Sequence, residues 1–75
     1  MKLQSVNHKA GYVFDLCFSD ASHAEVDLAP LLQQYLEPDD LATASIDPEW
    51  GCLTFKDGMV DIEPKTLYKF ATTSP

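Results

Sequence analysis

Val-Asp-Leu-Ala-Pro, beginning at Val26, and Val-Asp-Ile-Glu-Pro, beginning at Val60, are one pattern written twice, and each stands where one hydrophobic period gives way to another. Before Val26 the period is two: Tyr12, Phe14, Leu16 and Phe18 fall on one face of an extended chain, with Val13, Asp15 and Cys17 on the other. After Pro30 the apolar residues Leu31, Leu32, Tyr35 and Leu36 keep the spacing of one helical stripe. Proline is tolerated in a first helical turn because its missing N–H has no partner there anyway. Each copy therefore reads as a joint between a strand and a short helix.

The joints order the rest of the chain. A strand over 3–8 and a turn at Lys9-Ala10-Gly11 lead into the alternating segment, and Ser19 to Ser22 turns it back through a strand whose Ala24, Val26 and Leu28 face inward. Glu37-Pro38-Asp39-Asp40 ends the first helix. Strands are then predicted over 42–47, 52–55 and 59–62, with a turn at Pro48 to Gly51 and a tight reversal at Lys56-Asp57-Gly58, where glycine accepts the positive φ such hairpins need. A second helix starts at Pro64 and buries Leu67, Tyr68, Phe70 and Ala71. Phe18-x-Asp20 and Phe55-x-Asp57 precede the two hairpin turns, so the hairpin-helix arrangement occurs twice.

The expected fold is α+β: a small antiparallel sheet of about five to six strands packed on two short helices. All 75 residues form a single domain, with 1–2 and 72–75 frayed.

Asp27 and Asp61 lie two residues before the expected helix caps, Ala29 and Glu63, neither of which caps strongly. A carboxylate there accepts the N–H two residues on and favours the positive end of the helix. Asp27, Pro30, Asp61 and Pro64 are accordingly read as structural helix-start residues. As a pair of catalytic acids, the aspartates would have to converge in one cleft with separated pKa values, which nothing in their spacing provides.

Other chemistry is sparse. His8, Cys17, His23 and Cys52 lack the close pairs of a zinc site, no glycine-rich phosphate loop exists, and no cofactor or catalytic residue is assigned. Twelve acidic residues against five lysines and no arginine give a net charge of −7, which repels nucleic acid and anionic lipid and suits a basic protein partner. Glu37, Asp39 and Asp40 form the acidic segment proposed to meet it, with a solvated helix end as its alternative role. Trp50, beside Gly51, either covers the edge of the core or stands out as an anchor for a partner. No apolar run suits a signal peptide or a membrane span, so a cytoplasmic protein with reduced thiols is expected.

From Ala42 to Phe70, with FKDGMVDIEPKTLY at its centre, the chain resembles the bacterial domain-of-unknown-function family numbered 2442. Gly58, Asp61, Ile62, Pro64, Leu67 and Tyr68 carry the match, and YVFDLCFSDASHAEVDLAPLL extends it over the first half. Phe55, Lys56 and Asp57 stand where the family usually has tryptophan, proline and asparagine, and the segment between Leu36 and Ala42 is shorter than usual. The resemblance implies a small α+β domain of a family often encoded beside small toxin-like proteins and discussed as antitoxin components. Some relatives carry a DNA-binding helix-turn-helix domain after this one; the chain reaches Pro75 without it, so masking a partner is expected rather than reading an operator.

The leading expectation is thus a protein-binding module, not an enzyme, in the manner of an antitoxin. The alternatives are a small ligand-binding domain or enzyme using Asp27, Asp61 or a thiol, and a structural domain that pairs into a homodimer, the oligomeric choice lying between monomer and homodimer.

Overall fold

In the computed structural model, which describes residues 1–73, the element order is β1 (Leu3–Ala10), β2 (Val13–Phe18), β3 (His23–Asp27), α1 (Ala29–Leu32), a 3₁₀ helix (Pro38–Thr43), β4 (Ser45–Ile46), β5 (Leu53–Phe55), β6 (Val60–Ile62) and α2 (Pro64–Thr73). The fold is α+β and the strands among the described residues number six, but they form two three-stranded antiparallel sheets, β1-β2-β3 and β4-β5-β6, and not the single sheet expected.

The split has a local cause. Residues 42–47 were expected to be one strand, yet Ala42 and Thr43 belong to the 3₁₀ helix, which leaves β4 two residues long. Pro38 opens that helix, Glu37 N–H donates to Asp40 Oδ2 at 3.0 Å, and the Thr43 hydroxyl donates to the Asp40 carbonyl at 2.6 Å. Leu41 anchors the turn in the core. So short a β4 packs against β1 without extending its ladder, and Leu3 N–H reaches the Gly51 carbonyl at 3.0 Å across the seam.

The alternation in β2 holds residue for residue. Phe14, Leu16 and Phe18 are buried, Val13, Asp15 and Cys17 are half-buried on the opposite face, and Phe14 and Leu16 pair with Val26 and Ala24 of β3. Aromatic edges join the layers: Phe14 meets Phe55 of the second sheet at 6.0 Å, and Phe18 meets Tyr68 of α2 at 5.2 Å. Such perpendicular pairs set one ring's positive edge on the other's negative face, each pair adding about 1 kcal/mol beyond burial. Leu53, Phe55 and Leu67 complete the core.

Several boundaries move. β1 continues to Ala10, which pairs with Val13 beyond a register shift, so the turn is tighter than Lys9-Ala10-Gly11 and lies at Gly11 and Tyr12. The first helix is one turn: the Leu28 carbonyl accepts from both Leu31 and Leu32 N–H, making Leu28 the cap, Ala29 the first residue and Pro30 the second. Leu32 and Leu36 are buried as the stripe requires, but Tyr35 is 67% exposed, because helix geometry is lost before the stripe returns to it. α2 runs through Thr73, and Thr72 Oγ1 donates to the Tyr68 carbonyl at 2.9 Å; the remaining part of the expected frayed end, residues 74 and 75, lies outside the described residues. At the other end Lys2 N–H donates to Ser19 Oγ at 3.0 Å, and the Lys2 carbonyl accepts from Ser19 N–H.

Candidate functional site

In the second sheet, cross-strand pairing decides which side chains face water. Leu53 pairs with Ile62 and Phe55 with Val60, so these four share the core face. Thr54 pairs with both Ser45 and Asp61, which sets these three side chains on the opposite face; Ser45 and Asp61 are exposed there, whereas Thr54 is buried and its hydroxyl bonds that of Ser45 at 2.8 Å. Extending the period of two adds Asp47, Cys52 and Glu63 to that side. Asp47, Cys52, Asp61 and Glu63 line one concavity of about 500 Å³, together with Trp50, Pro64, Lys65 and Met1.

Asp47 builds the turn on its rim. Its Oδ1 accepts from Glu49 N–H at 2.8 Å and Trp50 N–H at 3.2 Å, and its carbonyl accepts from Gly51 N–H at 2.7 Å. The indole is left outside: Trp50 is 67% exposed, so it does not cover the core edge. Negative charge then dominates the floor. Burial first, and then the carboxylates of Asp61, Asp47 and Glu63, push the Cys52 thiol up from its ordinary value. A nucleophilic cysteine needs the opposite environment, one that favours thiolate.

Next to this concavity, a groove of about 420 Å³ runs between α1 and β6, lined by Leu31, Leu32, Tyr35, Met59 and all three residues of β6. Consecutive strand residues point to opposite faces, so a groove touching all three follows the strand's edge. Among the described residues no strand pairs with that edge, because β6 ends its sheet. Met59 is 80% exposed on the groove's rim, opposite the exposed Tyr35. Asp61 is the one acidic residue among those lining the groove and also lines the acidic concavity.

Of the candidates from sequence, Trp50 belongs here. Asp39 and Asp40 lie on the 3₁₀ helix instead and Glu37 is its N-cap, with Asp40 committed to Glu37 N–H. Asp27 fills its assigned role, its Oδ1 accepting from Ala29 N–H at 2.9 Å. Asp61 does not repeat it: among the described residues no side-chain bond joins Asp61 to Glu63 N–H, and α2 starts with Leu67 N–H donating to the Glu63 carbonyl at 3.1 Å. Pro64 is buried at the first position of α2. Sequence reasoning missed Asp47 and Glu63. The available signals were an aspartate two residues before Glu49, where Asx-turns form, and the period of two that carries Asp61 to Glu63.

Cys17 and Cys52 are free thiols, one in each half of the fold. His8 stacks on Phe14 at 4.8 Å and its Nε2 lies 2.6 Å from the Gly11 carbonyl, which gives that histidine a local role. Among the described residues no group of His, Cys, Asp and Glu could hold a metal ion, and no helix is long and apolar enough to cross a membrane.

No curated protein and no solved structure matches this chain. A family model does match, over residues 3–73, which spans both sheets and both helices. The chain therefore belongs to the family described as Protein of unknown function (DUF2442).

Proposed function

We propose that this domain is a protein-binding module for a basic partner, acting as the antitoxin-like component of a bacterial toxin–antitoxin pair. The observation that carries the reading is the gathering of Asp47, Asp61 and Glu63 beside an exposed Trp50 on one side of a chain whose net charge is −7. Lys65 only partly offsets those carboxylates. An indole next to a carboxylate cluster suits lysine or arginine, which gains an ion pair and a cation–π contact at one place. The complementary field speeds encounter and rejects acidic competitors.

The test is co-expression with the product of the adjacent gene. The module reading expects a stoichiometric complex with a small basic protein, weakening steeply as salt rises, and relief of any growth arrest that protein causes. An acidic neighbour, or no complex at low salt, overturns it.

A further inference from the structure

We infer that the free edge of β6 takes up an extended, alternately apolar and basic segment of the partner, with an apolar side chain seated between Tyr35 and Met59 and a cationic one against Asp61. This rests on the proposed module reading and names the surface and the chemistry it recognises.

An edge strand offers an unpaired row of N–H and C=O groups, and a segment adding to it gains backbone hydrogen bonds whatever its sequence. Specificity then comes from side-chain pockets beside the strand. Here the apolar groove runs along Val60, Asp61 and Ile62, with Leu31 and Leu32 as its wall. Met59 and Tyr35, 80% and 67% exposed, have apolar surface to bury on contact.

The charge pattern selects the occupant. If a second copy paired antiparallel about the centre of β6, it would set Asp61 against Asp61, and like charges directly opposite destabilise a sheet. Each copy also carries −7. The same carboxylate that blocks self-pairing attracts a strand bearing lysine or arginine at that position. Asp61 lines both the apolar groove and the concavity with Asp47, Glu63 and Trp50, so a second cation next along the segment reaches more negative charge and an aromatic face.

The experiment titrates the full chain with a blocked synthetic peptide alternating lysine with valine and leucine, following backbone amide shifts. Two controls share its length: one with glutamate for every lysine, one with alternate peptide nitrogens methylated. The lysine peptide is expected to shift the Val60, Asp61 and Ile62 amides and to slow hydrogen exchange at those of the three that point away from β5, while both controls bind at least ten-fold more weakly. Tyr35→Ser and Met59→Ser, exposed and harmless to folding, should each weaken binding about ten-fold, and Asp61→Asn should flatten its salt dependence.

Equal binding by the methylated peptide overturns strand addition. So do shifts centred on residues 37–40, an outcome that would leave the module reading intact, and so does a dimer forming through β6 without peptide. If no basic peptide binds at any salt concentration, both readings fall.

Discussion

The Thr43 hydroxyl accepts the backbone N–H of Lys56 at 2.8 Å and donates to the Asp40 carbonyl at 2.6 Å, so one side chain ties the 3₁₀ helix to the turn between β5 and β6. Lys56 needs that acceptor, because its backbone is left-handed at φ +56 and cannot continue the β5 ladder in the ordinary way. Thr43→Val keeps the shape and removes both bonds, which should cost about 1–2 kcal/mol. Thr43→Ser should cost less than half of that. Urea unfolding with an unchanged slope is the measurement, and a valine variant as stable as the parent would show the hydroxyl to be dispensable.

Asp27 and Asp61 occupy matching places in the sequence but differ in their bonds. Asp27 accepts from Ala29 N–H at 2.9 Å, whereas Asp61 stands in the groove beside β6. Asp27→Ala should destabilise by about 1 kcal/mol, the cost of a lost cap, and Asp61→Ala by under about 0.5 kcal/mol. Equal losses in thermal unfolding would mean that the second carboxylate does structural work after all.

Those two aspartates also show what sequence could and could not reveal. The strand-to-helix joints were legible because proline and a change of hydrophobic period are local signals, and the buried face of β2 was legible because pleating alone fixes it. The split between sheets was not. It depends on Thr43 bonding Asp40 and Lys56, on Leu41 filling the core, and on β1 meeting β4 from the far side of the chain. The acidic concavity was hidden for the same reason: Asp47, Asp61 and Glu63 converge only once β4 and β6 flank β5. Glu37, Asp39 and Asp40 drew attention because they are adjacent in sequence, which is no guide to what gathers in space.

Gly51 and Gly58 both have positive φ, +72 and +85, but for different neighbours. A Cβ on Gly58 meets nothing within 4 Å, so Gly58→Ala should cost only the backbone strain, about 1–2 kcal/mol. A Cβ on Gly51 would press on the Lys2 side chain and lie 2.9 Å from Lys2 Cα, which is backbone immediately before β1. Relief there must disturb the Leu3 N–H to Gly51 carbonyl bond between the sheets. Gly51→Ala should therefore be the more damaging substitution in denaturant midpoints, and the reverse order would contradict this account of the seam.

Cys52 reports on the acidic concavity directly. Its thiol is raised by burial and by Asp61, Asp47 and Glu63, so in the folded chain it holds its proton at a pH where the unfolded chain has lost it. Between those two values the folded state binds more protons, and stability falls as pH rises from the ordinary thiol range through the folded value. Cys52→Ala should remove that part of the alkaline loss while leaving the neutral-pH core intact, since the thiol sits at the outer face. Alkylation of Cys52 should be slow at neutral pH, because thiolate is the reactive form. Asp61→Asn and Glu63→Gln should each shift the rate profile to lower pH by removing a repelling charge, and the double variant should shift it further. A profile indifferent to both substitutions would mean that these carboxylates do not act on the thiol, and would remove the electrostatic basis for placing a cation there.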